Sequence, residues 1–160
     1  MKILGIDPGL QRTGYGLIES SSPGKMKLVE AGVIRTSPQD GIALRLTDIF
    51  ENIRDIIDEH KPAVLVLEKI YSHYKHPATA ILMGHARAVV CLACGLKGVR
   101  LLNYPSTRIK KAVTGNGRAA KCQVQRMVKE LLGLKSLPEP LDISDALAMA
   151  VSYVYIEGVT

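Results

Sequence analysis

The sequence lacks the signs of a disulfide framework, and it lacks those of a membrane-spanning or signal segment. These two absences limit the compartment in which the protein is expected to work. Its 160 residues include three cysteines, an odd number, so a framework of disulfide bonds is not expected. No uncharged apolar run approaches the roughly 18 residues that a membrane-spanning helix needs, and the N-terminal sequence MKILGIDPG lacks the organisation of a signal peptide. We therefore expect a protein of the reducing cytoplasm that has no membrane partner.

Disorder is also excluded, because 47% of the residues are hydrophobic and 22% are charged, close to the usual composition of globular proteins. The length suits one compact domain and is too short for two of ordinary size. No internal repeat, linker or low-complexity segment interrupts the sequence. We expect residues 1–160 to form a single domain.

A third absence is local. The sequence contains no carboxylate between Glu68 and Glu130, and these 61 residues carry 12 lysines and arginines. Both flanking segments are net acidic, so the net charge of +6 comes from the middle of the chain. Protein surfaces usually mix the two signs, and an uninterrupted basic stretch is typical of a protein that binds a polyanion. A basic surface without a partner is the alternative interpretation.

Apolar periodicity and turn residues predict alternating elements. Strands are predicted at 2–7, 14–20, 25–35, 63–67 and 99–104. A helix is predicted to begin with Ser37 as N-cap and Pro38 in its first turn, and to end near residue 59. Further helices are predicted at 78–96, 105–114, 121–132 and 142–155. This order predicts an α/β fold with a five-stranded mixed sheet, whose first three strands form an antiparallel meander, and with helices on both faces.

Four carboxylates stand where chemistry is expected. Asp7 and Glu68 end two predicted strands, and they meet at one sheet edge if those strands are parallel neighbours. Asp142 and Asp145 lie three residues apart on a largely apolar helix, so they share one face. Individually, Asp7 is also explained as a turn cap, Glu68 as a partner of Lys69 and Asp142 as a helix N-cap.

Convergent carboxylates repel one another unless cations neutralise them. Oxygen ligands favour Mg²⁺, with Mn²⁺ as its substitute, over zinc. Two such ions in one site activate a water and stabilise the leaving oxygen in phosphoryl transfer. We therefore predict a site with two Mg²⁺ ions that acts on a phosphodiester.

The sequence resembles the RuvC family of bacterial Holliday-junction resolvases, which belong to the RNase H-like nucleases. The resemblance covers nearly the whole chain and is most specific in GIDPGLQRTGYGLIE (5–19), VLEKIYSHYKHPATAILMGHARAVV (66–90), KKAVTGNGRAAKCQVQRMV (110–128) and DISDALAMA (142–150). It implies an RNase H-like fold and a homodimer that places two active sites on a four-way DNA junction. It also implies paired symmetric nicks with 5′-phosphate and 3′-hydroxyl ends, and cooperation with the RuvA–RuvB branch-migration complex.

The resemblance implies that the four carboxylates are catalytic metal ligands. Asp142 ranks below Asp7, Glu68 and Asp145, since some relatives have histidine at its position. The residue that follows Glu68 is lysine here, where a neutral glutamine is common in relatives. Lys69 therefore either contacts a phosphate or pairs with Glu68.

Basic and aromatic residues between these carboxylates are the candidate DNA contacts. Lys121 is predicted to stabilise charge in the transition state, with an exposed first-turn lysine as the alternative. Tyr71 matches an aromatic position of the family and is predicted to stack on an unpaired base, with packing at the rim of the core as the alternative. The predicted phosphate contacts are Lys75, Lys110, Lys111 and Arg118.

Three other functions remain as alternatives. An RNase H-like nuclease that processes structured RNA would have the same carboxylates, and a junction-binding module would have lost them. An actin-like ATPase also has a glycine-rich strand–turn–strand resembling IDPG and TGYG, but it closes two such domains around its nucleotide. The pair Cys91 and Cys94 matches C-x-x-C only formally, and we interpret both as small residues of the core.

Overall fold

A computed structural model of the protein describes residues 1–70 and 77–158. Its five strands are β1 (Lys2–Asp7), β2 (Arg12–Ser22), β3 (Lys25–Arg35), β4 (Val64–Glu68) and β5 (Arg100–Tyr104). They form one sheet in the order β3-β2-β1-β4-β5. The first three strands pair antiparallel, whereas β4 is parallel to both β1 and β5. The predicted mixed sheet with an antiparallel meander is confirmed.

Helices cover both faces of this sheet, as predicted. They are α1 (Ile42–His60), α2 (Pro77–Lys97), α3 (Ser106–Thr114), α4 (Lys121–Leu131) and α5 (Leu141–Glu157). Helices α1 and α2 pack with one face of the sheet in one core, and α3, α4 and α5 pack with the other face in a second core. Successive residues of a strand point to opposite faces, so each central strand supplies side chains to both cores.

The predicted start of α1 is wrong by several residues. The helix begins at Ile42 with Gly41 as N-cap. Ser37 instead stabilises a separate turn: its hydroxyl accepts a hydrogen bond from the Gln39 N–H at 3.2 Å, and its carbonyl accepts one from the Asp40 N–H at 3.1 Å. Serine bonds readily to the backbone two residues ahead, and here that turn replaces the cap.

Helix α2 is buried on one side only. Ala86, Val90 and Ala93 face the core, whereas Ile81 and Leu92 are 60% and 55% exposed. By length and composition α2 is the one helix within the described ranges that could cross a membrane, a test that core helices also pass. Its exposed apolar residues form a surface that the sheet does not cover.

The three cysteines lie in different surroundings. Cys94 is buried in the core of α1 and α2, Cys91 is half-buried, and Cys122 is exposed. Burial raises the pKa of the Cys94 thiol to about 12. Cys94 is thus the small core residue that the sequence predicted.

Candidate active site

Strand alternation brings Asp7 and Glu68 to the same corner of the sheet. In β1, Ile3 contributes to the core beneath α5, and Asp7 follows it with the same parity. In β4, Val64 and Val66 face that core, and Glu68 follows them. Both carboxylates therefore project toward α5 at the carboxyl ends of adjacent parallel strands, because Ile6 pairs with Leu67.

Glycines in the sheet let α5 approach closely enough to add its own carboxylates. A Cβ at Gly5 would overlap the main-chain oxygen of Ala146, and a Cβ at Gly14 would overlap that of Asp142. Gly14 is also the β2 partner of Asp7. The first turns of α5 consequently lie against the strand ends, and Asp142 and Asp145 are placed beside Asp7.

The sequence motif TGYG thus has a packing role. A Cβ at Gly16 would lie 2.6 Å from Leu147 Cδ2, so this glycine as well as Gly14 is needed under α5. In the sequence alone these glycines only resembled part of a phosphate-binding turn. Two glycines spaced two residues apart on a strand lie on the same face of the sheet. This spacing was the sequence signal that a helix packs directly against the backbone there.

The electrostatics of this corner centre on Asp7. Burial raises the pKa of Asp7, and repulsion from Asp145, Asp142 and Glu68 raises it further, to about 7, despite the opposing charge of Lys121. Burial is the main cause of this shift, and the three neighbouring carboxylates add a repulsion that a bound cation would relieve. The corner therefore favours a cation.

Lys121 is the cation that faces these acids. Its ammonium group donates a hydrogen bond of 2.8 Å to Asp145 Oδ2, which raises the pKa of Lys121. A cleft of about 180 Å³ lies beside this ion pair. Lys110 and Glu68 also line the cleft, so two of the predicted basic residues lie next to two of the predicted acids.

The other predicted site residues are placed differently. Lys111 and Arg118 are exposed and do not line this cleft. Tyr71 and Lys75 lie outside the described residues, so their predicted roles remain predictions. Lys69 is exposed and forms no ion pair with Glu68 as the two residues are placed.

The donor set at the corner suits a hard metal ion. Asp7, Glu68, Asp142 and Asp145 offer carboxylate oxygens alone, which are ligands preferred by Mg²⁺ and Mn²⁺. Within residues 1–70 and 77–158, no three His, Cys, Asp or Glu side chains already surround a single point. The four carboxylates lie close enough to repel one another, but they do not yet surround a common point. Asp145 is instead paired with Lys121.

One contact near the site was missed by sequence analysis. Arg87 of α2 donates a hydrogen bond of 2.7 Å to the main-chain oxygen of Glu68 and another to Asn103 Oδ1. Its position inside an apolar helix was the available signal, since a charged residue there needs partners.

The sequence of this chain matches one known protein family along almost its whole length. The family model described as crossover junction endodeoxyribonuclease RuvC matches residues 3–153. The RuvC of Rhodopirellula baltica is 47% identical over 154 residues, which cover 96% of this chain and 86% of that protein. The RuvC of Petrotoga mobilis is 45% identical over 150 residues, covering 94% of this chain and 91% of that protein.

Solved structures agree. The Thermus thermophilus RuvC in complex with a Holliday junction substrate has a TM-score of 0.94 and 31% identity, covering 99% of this chain and 95% of that one. The yeast mitochondrial Holliday junction resolvase Ydc2, with 13% identity and a TM-score of 0.67 over 96% of this chain and 77% of that one, shares the RNase H-like fold. A family match over almost the whole length, with four acids at one corner of that fold, shows that the chain belongs to the RuvC family of crossover junction endodeoxyribonucleases.

Proposed function

We propose that this chain resolves four-way (Holliday) DNA junctions by paired symmetric nicks, in recombination and repair in the bacterial cytoplasm. The observation that carries the proposal is the corner at which Asp7 is surrounded by three further carboxylates in a RuvC-family fold. The relative with 31% identity was solved with a Holliday junction substrate, which supports the same substrate class here. The 61 residues without a carboxylate supply the complementary charge.

Nucleases of this family depend on metal ions, and we propose that two Mg²⁺ ions, replaceable by Mn²⁺, serve this site. Asp7, Glu68 and Asp145 would hold them, with Asp142 as a further ligand. When bound, the ions supply an activated water and neutralise charge at the leaving oxygen, giving 5′-phosphate and 3′-hydroxyl ends. Asp7 is the central ligand because all three other acids act on its charge.

Lys121 and Lys110 are proposed to act on the phosphate. The Lys121 side chain is 65% exposed although its ammonium group is bonded to Asp145, so it is free to turn toward a bound strand. From the cleft it would stabilise charge on the phosphate oxygens in the transition state. Lys110 lines the same cleft and would fix the strand there, while Lys111, Arg118 and Lys75 would contact phosphates farther along. Tyr71 would stack on an unpaired base.

A homodimer is the proposed assembly. The outer face of α2 exposes a run of apolar side chains, and Gly84 and Gly95 on that face have no other atoms within 4 Å of a Cβ position. A second copy that buried this face would explain both the apolar residues and the small ones. Two copies would then give the two active sites that paired nicking requires. The RuvA–RuvB complex is the proposed functional partner of this dimer.

Cleavage of a synthetic mobile four-way junction tests the proposal. With Mg²⁺ or Mn²⁺ the protein should cut two symmetry-related strands, whereas Asp7→Asn should abolish cutting and still bind the junction in Ca²⁺. Scattered single nicks would show a general nuclease, and preferential cutting of a structured RNA would show an RNA-processing enzyme. Absence of any cutting, with junction binding retained, would show a binding module. Asp7→Asn that cuts at the wild-type rate would overturn the site assignment.

A further inference from the structure

Arg87 ties three elements together at the catalytic corner. Its guanidinium group reaches from α2 to the main-chain oxygen of Glu68 on β4, at 2.7 Å, and to the side chain of Asn103 on β5. Next to these contacts, the Lys69 N–H donates to the Tyr104 carbonyl at 2.8 Å and closes the β4–β5 ladder. Arg87 therefore acts where both parallel strands end.

The neighbouring strand cannot supply this hydrogen bond in the usual way. The pairing between β1 and β4 ends at Ile6 and Leu67. Two residues after Ile6, directly beyond the end of β1, is Pro8, which has no N–H to donate to a carbonyl at this end of the ladder. The guanidinium group provides a donor at the point where the backbone of β1 has none.

The Glu68 side chain depends on this backbone for its direction. It is exposed, and within residues 1–70 and 77–158 no hydrogen bond or ion pair is formed by its carboxylate. The direction of its Cα–Cβ bond follows from the geometry of the main chain at this residue. A contact that holds the Glu68 carbonyl also limits where its carboxylate can lie.

We propose that Arg87 is a positioning residue, which holds the carboxyl ends of β4 and β5 so that the Glu68 carboxylate faces Asp7 and Asp145. The inference rests on the proposed function, since it assigns Arg87 a role through Glu68. Removing the guanidinium group should leave the junction-binding surface in place and misplace one ligand. Hydrogen-bond partners that orient ligands typically affect metal affinity or activity by about 10–100-fold.

The test compares Arg87→Met with Lys97→Met. Lys97 is a matched control, because it is also a cation of α2 and ties that helix to α1 through a 2.6 Å bond to Asp58, away from the site. For Arg87→Met we expect kcat for junction cleavage to fall at least about 10-fold, with KM for the junction unchanged. We also expect weaker binding of Mn²⁺ to the DNA-free protein, measured by electron paramagnetic resonance. Lys97→Met should leave all three quantities at the wild-type values.

Two additional variants keep the test decisive. Arg87→Lys retains the charge and one donor, and it should recover part of the lost kcat even if Arg87→Met unfolds. Adding Arg87→Met to Glu68→Gln should not weaken Mn²⁺ binding further if Arg87 acts through Glu68. Wild-type kcat and Mn²⁺ binding in Arg87→Met would overturn the inference, as would equal additional loss in the Glu68→Gln background. Failure of the wild-type protein to cut junctions would instead overturn the proposed function.

Discussion

Helices α2 and α5 are both apolar and lie on opposite faces of the same sheet, yet they are buried to different extents. In α5 every residue of 146–154 is buried, whereas in α2 only Ala86, Val90, Ala93 and Cys94 are. The sheet explains the difference: glycines lie beneath α5, and the face turned to α1 and α2 presents large aliphatic side chains such as Leu4 and Leu65.

The two helices also differ in how directly they contact the backbone of the sheet. Because α5 packs against the backbone of β1 and β2, its carboxylates are held at a fixed distance from Asp7. Helix α2 is separated from the sheet by a layer of side chains and keeps an apolar face exposed. Helix α5 thus supplies two of the four carboxylates, whereas α2 contributes Arg87 to the corner and leaves apolar side chains exposed.

The largest effect is expected from filling the space beneath α5. Gly5→Ala would place a methyl group against the Ala146 main-chain oxygen, which no side-chain rotation can relieve. We expect a loss of about 3 kcal/mol or more in the free energy of unfolding, together with loss of cleavage. Urea denaturation measures the first quantity and junction cleavage the second.

The matched control is Gly41→Ala on the other side of the sheet. A Cβ at Gly41 meets no atom within 4 Å, and its backbone angles suit alanine. As an N-cap change it should cost at most about 1 kcal/mol. Equal destabilisation by the two substitutions would show that backbone contact does not hold α5 in place.

The second prediction concerns the protonation of Asp7, which is disfavoured as an anion first by its burial and then by the acids of α5. Because the pKa of Asp7 is raised from 3.8 to about 7, the folded metal-free protein binds a proton that the unfolded chain releases between these values. Its stability should therefore fall as pH rises from about 4 to about 7, by at most about 4 kcal/mol. Asp7→Asn should lack this decrease and be the more stable protein at about pH 8.

Thermal unfolding across this pH range, with and without Mg²⁺, measures the effect. Mg²⁺ at the higher pH should raise the Tm of the wild-type protein, since it neutralises the repelling carboxylates, and have little effect on Asp7→Asn. Parallel pH profiles for the two proteins would contradict the idea that Asp7 carries the excess charge.

How far the sequence predicts this corner depends on the kind of signal. Alternation and turn residues predicted the sheet and placed Asp7 and Glu68 at strand ends, because these signals are local. They did not predict the start of α1, where Ser37 favours a turn over a cap. The approach of α5 and the contact of Arg87 depend on residues far apart in sequence, so they required the three-dimensional arrangement.

The third prediction tests the outer face of α2. Leu92→Lys should convert a dimer to a monomer, because it places a charge in the proposed apolar interface. Leu44→Lys on α1 is the matched control, since Leu44 is 53% exposed and Leu92 is 55% exposed. Sedimentation velocity distinguishes the two variants. A dimer that persists in Leu92→Lys, or is lost equally in Leu44→Lys, would exclude this face of α2 as the interface.

The last prediction, with the smallest expected effect, concerns the inner face of α2. There the rate at which the Cys94 thiol is chemically modified measures how well it is buried. Cys94 is buried, and desolvation raises the pKa of its thiol from 9.0 to about 12. Near neutral pH its thiolate fraction is therefore about 10³ times smaller than that of a thiol with a pKa of 9.0. Cys122 is exposed and should be accessible to a maleimide reagent in the folded protein. Mass spectrometry of the labelled peptides should show rapid modification of Cys122, with Cys94 modified only when the protein unfolds. Labelling of Cys94 in the folded protein at the rate of Cys122 would mean that α2 opens away from the sheet, and the contrast with α5 would then lie in dynamics as well as in packing.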